Sequence, residues 1–184
     1  MSTLTLLVPT LPTRFEYLKR LQSVLLPQIE KHKDRVNIVY NDKGPSMCIG
    51  EKRNALMSMA SGEYFAYIDD DDMVPSYYVD EMLKAIDKGP DVITFRGHML
   101  TNGAHRVDFI IKLGEKYEER KGKYYRWPNH LCGFKKSLVR HVQFPPVKQR
   151  EDFMWSEMIK NKGLLKSEVH IDKEMYQYLF RTNK

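Results

Sequence analysis

Four consecutive aspartates at 69–72 form the segment of this sequence with the clearest capacity for chemistry. Adjacent carboxylates repel one another, and a divalent cation that binds beside them removes that repulsion. Oxygen ligands suit Mg²⁺ or Mn²⁺, which proteins hold through one or two carboxylates together with the phosphates of a substrate. The alternative is an acidic turn ahead of a helix that begins near Pro75, where negative charge is favourable.

A second candidate segment, 112–126, alternates basic and aromatic side chains. Basic side chains neutralise phosphates and aromatic rings stack on exposed bases, so this composition suggests that the segment binds a nucleic acid. The alternative is a solvated, mobile loop whose tyrosines pack beneath it. The segment contains Lys112, Lys116, Arg120, Lys121, Lys123 and Arg126, with Tyr117, Tyr124 and Tyr125 between them.

The elements that must position these residues alternate between strands and helices. Apolar runs predict strands at 4–8, 36–40, 64–68 and 92–95, and apolar residues three and four apart predict helices at 15–28, 49–61 and 75–86. The alternation predicts an α/β fold whose central, mostly parallel sheet is flanked by helices. Ligands of such sheets bind at the carboxyl ends of the strands, so the loops at 9–14, 41–43 and 69–72 share one edge.

The pattern weakens beyond residue 96. We expect extended segments and loops over 97–127, because glycine, lysine and tyrosine interrupt any apolar period there. Helices are predicted at 138–142 and 153–160, and a last strand at 169–171.

Composition and length exclude several classes of protein. The chain has 184 residues, of which 42% are hydrophobic and 29% charged, so we expect one folded domain and little disorder. No window approaches about 18 apolar residues, so no membrane-spanning helix is predicted. The N-terminus is interpreted as a strand and not as a signal peptide. The two cysteines, Cys48 and Cys132, suit the reducing cytoplasm.

The net charge of +6 is distributed unevenly along the chain. Acidic residues concentrate at 64–95 and basic residues at 96–150, which suggests a cation site beside a surface for an anionic partner. A basic protein with a solvated face is the alternative. No Gly-rich loop follows the first strand. Its absence argues against a dinucleotide dehydrogenase, a P-loop NTPase and a nucleotidyltransferase that makes nucleotide sugars.

Taken in order along the chain, short segments resemble the motifs of family 2 glycosyltransferases with the GT-A fold. The resemblance is dense over 4–88, sparse over 127–181 and absent over roughly 97–126. The matching segments are Val8-Pro9-Thr10 with Arg14, Asn41-Asp42-Lys43-Gly44, Lys52-Arg53-Asn54-Ala55 with Ala60-Ser61-Gly62-Glu63-Tyr64, the aspartates at 69–72 followed by Pro75, Glu151-Asp152-Phe153, and Tyr176-x-Tyr178 with Arg181.

The resemblance implies a single GT-A domain over 1–184, a Rossmann-like nucleotide-diphospho-sugar transferase. Residues 1–95 would bind the nucleotide sugar, and 96–184 would bind the acceptor. Asp42 would contact the base of the donor, Arg53 the base or the diphosphate, and Asp69 or Asp70 the ribose. The implied donor-binding residues are Pro9, Thr10, Arg14, Asp42, Arg53, Asp69 and Asp70.

The same resemblance implies a metal-dependent, inverting reaction. Asp71, together with Asp69, would hold a Mn²⁺ or Mg²⁺ ion that stabilises the leaving nucleoside diphosphate. Asp152 would be the general base that deprotonates the acceptor hydroxyl, and Glu151 would orient Asp152 or the acceptor. On its own, this acidic pair is typical of the first turn of a helix.

The remaining implied residues lie in the second half of the chain. His170, on the predicted last strand, is either a further metal ligand or a hydrogen-bonded structural histidine. The implied acceptor-side residues are Trp127, His130, Lys123 and Arg126.

Two acceptors stay open. One is a hydroxymethylated pyrimidine in DNA, which phage enzymes that resemble this family glycosylate, and which must be extruded from the stack or presented in a single strand. The other is a cell-surface polysaccharide or a lipid-linked glycan. A non-catalytic module that binds nucleotide sugars is a further alternative. We expect the protein in the cytoplasm, or in the host cytoplasm if a phage encodes it.

Overall fold

The computed structural model describes residues 3–44, 46–147 and 149–182. Its first half contains the predicted alternation of strands and helices. The elements are β1 (Leu4–Pro9), α1 (Phe15–Lys31), β2 (Val36–Asn41), α2 (Ile49–Met59), β3 (Tyr64–Tyr67), α3 (Tyr78–Ile86) and β4 (Val92–Thr101), with a 3₁₀ turn at Pro12–Arg14 ahead of α1. None of the described helices is long and apolar enough to cross a membrane.

The second half contributes five further strands and two helices. They are β5 (His105–Ile111), β6 (Glu118–Arg120), β7 (Lys123–Arg126), β8 (Gly133–Lys135), α4 (Lys136–Val139), α5 (Glu151–Asn161) and β9 (Glu168–Phe180). The extended segments expected over 97–127 are therefore three strands and the end of a fourth. The helix predicted at 138–142 is the shorter α4, which begins two residues earlier.

All nine strands join one sheet in the order β2-β1-β3-β8-β4-β5-β7-β6, with β9 on the other edge of β4. Helices flank this central sheet, which confirms the α/β fold class. The sheet is mixed, however, and not mostly parallel, because β8 from the second half inserts antiparallel between β3 and β4. β8 packs closely on α3 at Gly133, where a Cβ would lie 2.6 Å from the terminal methyl of Met82.

The strands nearest the site are also the most deeply buried. Every residue of β1 and β3 is buried, because β1 lies between β2 and β3, and β3 lies between β1 and β8. The loops that follow these two strands consequently start from fixed positions at the same edge of the sheet. The parallel pairing of β1 with β2 and β3 confirms the parallel arrangement predicted for the strands of the first half.

An aromatic cluster fixes α5 against the sheet. The ring of Trp155 stacks on Phe144 with centroids 4.4 Å apart and meets Phe134 of β8 edge-on at 5.1 Å. The indole N–H of Trp155 donates a hydrogen bond to the carbonyl of Val142 at 2.8 Å. Because Trp155 is only one turn beyond Glu151, this packing positions the N-terminal end of α5.

β9 is much longer than the strand predicted at 169–171. It pairs in parallel with β4 along its length, but the register shifts between Phe95 and Gly97. The charged residues Asp172 and Lys173 fall at that irregularity and break the apolar alternation on which the prediction depended. After the shift, the strand delivers Tyr176 and Tyr178 to the edge of the sheet where β1 and β3 end.

Candidate functional site

A cleft of about 790 Å³ opens at the carboxyl ends of β1 and β3. The N-terminal end of α5 and the last residues of β9 form its remaining walls. Its polar lining residues are Thr10, Arg14, Lys52, Arg53, Asp69, Asp70, Asp71, Gln149, Arg150, Glu151 and Tyr178. The fold therefore brings the aspartates at 69–72 together with Arg14, Arg53 and Glu151, as the loop positions in the sequence predict.

Asp70 and Asp71 are both held by Arg14. The guanidinium Nε lies 2.9 Å from each carboxylate oxygen of Asp70, and Nη2 lies 2.6 Å from Asp70 Oδ1 and from Asp71 Oδ2. Thr10 donates its hydroxyl to Asp70 at 2.6 Å. Partial burial lowers the pKa of Arg14, but its hydrogen bonds to the two carboxylates outweigh burial and raise the pKa overall.

Asp72 has a structural role, because it bonds the aspartate loop to β9. Its side chain is fully buried and accepts hydrogen bonds from the Tyr176 hydroxyl and the Leu179 backbone N–H, both at 2.8 Å. Burial raises the pKa of Asp72 well above its usual range, and the neighbouring charge of Asp69 adds to that rise. Asp72 therefore ties the aspartate loop to β9 and contributes little to mutual repulsion of the four carboxylates.

Asp69 faces a second arginine of the cleft, Arg53. Its carboxylate lies 3.0 Å from Nη2 of Arg53, and Arg53 Nε lies 3.3 Å from Glu151 at the start of α5. Burial opposes ionisation of Asp69, yet Arg53 and His130 outweigh it and hold the pKa of Asp69 well below its usual range. Arg53 thus joins the loop after β3 to the acidic pair on α5.

His130 connects the same two regions. Its Nε2 lies 3.6 Å from Asp69 Oδ2, and its Nδ1 lies 3.3 Å from Asp152 Oδ2. Burial and Arg53 lower the pKa of His130, but these two carboxylates outweigh them and raise it above its ordinary value. His130 is buried between Asp69 and Asp152, and the acceptor contact implied for it remains a prediction.

Asp152 stands at the first turn of α5, with one-third of its side chain exposed. Burial raises the pKa of Asp152, but the hydrogen bond and charge of His130 outweigh burial and keep the pKa below its usual range. Asp152 is therefore ionised at neutral pH and can accept a proton. Arg150, the residue before the pair, lines the cleft in a left-handed backbone conformation with φ of 63°.

Lys52 is a cleft residue to which the sequence pattern gave no role. It is buried on α2, and its ammonium donates to the Thr10 carbonyl at 2.7 Å, beside Pro9 at the end of β1. Burial lowers the pKa of Lys52, while nearby Asp70 and Asp42 oppose that change. Asp42 itself is exposed and is not among the residues that line the cleft, so we describe it as a rim residue.

His170 is not brought to the aspartates. Its Nδ1 lies 3.0 Å from the Thr94 hydroxyl, and Thr94 precedes Met99, the β4 partner of Tyr178, by five residues. At about 3.3 Å per residue, roughly 16 Å of strand separates His170 from the cleft. This placement favours the structural alternative for His170, with Thr94 as its hydrogen-bond partner.

The predicted acceptor residues of the second half are dispersed. Trp127 is buried in the hydrophobic core, which excludes stacking on an exposed base. Lys123 lines a separate, much smaller cavity of about 90 Å³ with Arg106 and Glu174. Arg126 stacks over the rings of Phe109 and Tyr124, each centroid 5.6 Å from its guanidinium carbon.

The basic segment 112–126 forms an edge hairpin. Lys121 and Gly122 make its two-residue turn, with φ of 52° and 69°. Arg120 packs over the Tyr125 ring at 3.7 Å and pairs with Glu115 and Glu118. Part of the positive charge that suggested a nucleic-acid surface is therefore neutralised within the hairpin.

The carboxylates of the cleft suit a metal ion that arrives together with a phosphate ligand. Within 3–44, 46–147 and 149–182, no three His, Cys, Asp or Glu side chains are grouped as a complete metal site. Asp69 and Asp71 can supply carboxylate oxygens, although both are ion-paired with arginines: Asp69 Oδ1 lies 3.0 Å from Arg53 and Asp71 Oδ2 lies 2.6 Å from Arg14. Mg²⁺ and Mn²⁺ accept such incomplete sites, because substrate phosphates and water fill the other positions.

Comparison with known proteins gives a family match and matches to solved structures. The model of the family described as Glycosyl transferase family 2 matches residues 22–142. TarS 1-349 of S. aureus in complex with UDP-GlcNAc is 17% identical, with a TM-score of 0.69, over 99% of this chain and 60% of that one. A second S. aureus TarS structure is 16% identical, with a TM-score of 0.67, over 96% of this chain and 36% of that one.

These structural likenesses show the shared fold. The chain spans about 60% of the length of TarS 1-349. No curated protein sequence matches it.

Proposed function

The chain belongs to glycosyl transferase family 2, and from this premise we propose that it transfers a sugar from a nucleotide diphosphate donor to an acceptor hydroxyl, with inversion at the anomeric carbon. One observation carries the proposal. The aspartates after β3 and the acidic residue Glu151 on α5 line the same cleft, with Arg53 in contact with both Asp69 and Glu151. A donor bound there would have its diphosphate beside the aspartates and its sugar toward α5.

The donor end of the cleft is supplied by the first half of the chain. Thr10, Lys52 and Arg53 surround the carboxylates and would bind the nucleotide, with Asp42 at the rim for the base. Asp69 and Asp71 would hold Mg²⁺ or Mn²⁺, which would compensate the negative charge that develops on the leaving nucleoside diphosphate. The buried Arg53 aligns Asp69 for this role through its contact at 3.0 Å.

The acceptor end is supplied by α5. Asp152 would accept the proton of the attacking hydroxyl, since it is ionised and partly exposed. Attack from the face opposite the leaving group inverts the anomeric centre. Glu151 does not share this exposure; it pairs with Arg53 and would hold α5 in place against the donor half.

We extend the proposal to a division of labour within one domain, in which 1–95 bind the nucleotide sugar and 96–184 bind the acceptor. A cytoplasmic location is part of the same proposal, and the two unpaired cysteines, Cys48 and Cys132, support it.

A glycan hydroxyl is the acceptor that the geometry favours over DNA. Arg120 is paired with Glu115 and Glu118 and lies over the Tyr125 ring, so two side chains that favoured nucleic acid are occupied within the hairpin. A hydroxymethylated pyrimidine in phage DNA is the second candidate, supported by the lysines of the hairpin edge, such as the exposed Lys121 and Lys123.

The test is a transfer assay with Mn²⁺ and a panel of nucleotide sugars, in which two acceptors are run side by side. One acceptor is DNA that carries 5-hydroxymethylcytosine, and the other is a mixture of simple glycosides. We expect a mass gain on a glycoside, with the anomeric configuration inverted in the NMR spectrum of the product. A mass gain on DNA alone would move the acceptor to nucleic acid. Nucleotide-sugar binding with no transfer and no release of nucleoside diphosphate would contradict the proposed activity and leave a binding module.

A further inference from the structure

Arg14 reaches into the aspartate loop from the 3₁₀ turn that follows β1. Its guanidinium contacts both oxygens of Asp70 and one oxygen of Asp71 at 2.6–2.9 Å. A single side chain therefore spans two neighbouring carboxylates. One of them, Asp71, is a proposed ligand of the metal ion.

The arginines of the cleft offset part of the charge of the aspartate loop. Arg14 faces Asp70 and Asp71, while Arg53 faces Asp69 and is shared with Glu151. Two positive charges therefore stand against three of the aspartates, and the electrostatic demand for a divalent cation, which four adjacent aspartates imply in the sequence, is reduced but not removed. A metal ion that binds at Asp71 must compete with the guanidinium for the same oxygen and must overcome its positive charge.

Arg14 also contacts an aromatic ring in the same conformation. Its guanidinium carbon lies 5.2 Å from the centroid of the Tyr17 ring, which carries Arg181 at 4.7 Å. The ring can remain a partner of the guanidinium when the carboxylates are released. A diphosphate offers the guanidinium the same forked hydrogen-bonding partner that the carboxylates provide.

We propose that Arg14 is a latch: it holds Asp70 and Asp71 together and keeps a divalent cation out of the aspartate loop until the diphosphate of the donor draws the guanidinium away. The cation then enters with the nucleotide or after it. This inference rests on the donor and metal roles of the proposed function and adds the order of binding. Arg14 acts through the carboxylates, so it is a positioning residue.

The test measures Mn²⁺ binding directly, from the free Mn²⁺ signal in electron paramagnetic resonance, without any donor sugar or acceptor. The wild type is compared with Arg14→Met, first alone and then with UDP, GDP or dTDP. We expect the Arg14→Met protein to bind Mn²⁺ at least tenfold more tightly than the wild type when no nucleotide is present. The nucleotide should then improve Mn²⁺ affinity less in the variant than in the wild type.

Two further variants control this comparison. Arg20→Met removes a nearby arginine that also faces Tyr17 but contacts only the backbone carbonyl of Asp71, so its Mn²⁺ affinity should change less than threefold. Arg14→Lys keeps the charge but cannot form the fork, and we expect intermediate Mn²⁺ affinity. Arg14→Lys also takes the place of Arg14→Met in this test if the methionine variant does not fold because Asp70 has lost its partner.

Equal Mn²⁺ affinity in the wild type and in the folded Arg14 variants would overturn the latch. So would a gain in Arg20→Met as large as the gain in Arg14→Met, because the effect would then be one of general charge. The transfer assay reads the proposed function separately: transfer by the wild type with unchanged Mn²⁺ affinities would reject the latch alone.

Discussion

The imidazole of His130 lies 3.3 Å from the carboxylate of Asp152, at the point where the loop before β8 meets the first turn of α5. The proposed general base is therefore held next to a buried group whose positive charge the site favours. The contact stabilises the ionised form of Asp152, so it guarantees a deprotonated base at neutral pH, and it also weakens that base.

Replacement of His130 by glutamine should change the pH dependence of transfer. Without the imidazole, the pKa of Asp152 rises, because burial is then opposed only by Arg53 and the Phe153 backbone N–H. The acidic limb of kcat should therefore move to higher pH in His130→Gln. The measurement is a kcat profile from pH 4 to 9, with the exposed His141→Gln as the control. An acidic limb that stays in place would show that His130 does not act on the base.

The same substitution should change how stability depends on pH. The pKa of His130 is raised on folding, so its charged form contributes stability that is present in full below about pH 6.5 and is lost as pH rises through the folded pKa. The Tm difference between wild type and His130→Gln should thus be largest near pH 6 and shrink toward pH 9. A difference that is constant or grows with pH would contradict this assignment.

Asp152→Asn should keep the donor site and lose transfer. The amide cannot accept the acceptor proton, so kcat should fall by about 10²–10⁴-fold, while nucleotide affinity stays within about twofold. Glu157→Gln, which changes a partly exposed carboxylate on the same helix, is the matched control. Loss of nucleotide affinity in parallel with kcat would instead place Asp152 in donor binding.

The sequence predicts the first half of this molecule well because local patterns determine it. The strands β1 to β3 are mostly apolar runs, and the loops after β1 and β3 carry Arg14 and the aspartates, so parallel pairing brings these residues to one edge. That arrangement predicts only part of the cleft, because α5 and β9 of the second half supply lining residues such as Glu151 and Tyr178.

Long-range pairing explains what the sequence does not predict. β8 is three residues long, and nothing local indicates that it inserts between β3 and β4. His130 lies in the loop just before β8, so its place between Asp69 and Asp152 depends on that insertion. The burial of Lys52 is hard to predict for a different reason. A lysine within a helix is usually solvated, whereas here the ammonium is buried and donates to the Thr10 carbonyl.

Asp71→Asn tests the proposed metal ligand. We expect the variant to fold but to lose the dependence of nucleotide affinity on Mn²⁺, because a neutral amide binds the ion much more weakly than a carboxylate does. Calorimetric titration of UDP, GDP or dTDP with and without Mn²⁺ gives the result. Asp80→Asn, a carboxylate that pairs with Lys31 away from the cleft, is the control. An unchanged Mn²⁺ effect in Asp71→Asn would move the metal to other ligands.

Tyr176→Phe should weaken the junction between β9 and the aspartate loop. The hydroxyl of Tyr176 donates to the buried Asp72 at 2.8 Å and accepts the backbone N–H of Asp69 at 3.2 Å, so its removal leaves two buried groups short of a partner. The free energy of unfolding should fall by about 1–3 kcal/mol, measured by urea denaturation. Tyr77→Phe removes a hydroxyl that bonds the Glu174 carbonyl on the exposed side of β9, and it should cost less. If the two variants lose the same stability, the Asp72 contact has no special weight. If Tyr176→Phe alone is destabilised and also binds nucleotide more weakly, the strand holds the aspartates in their binding geometry.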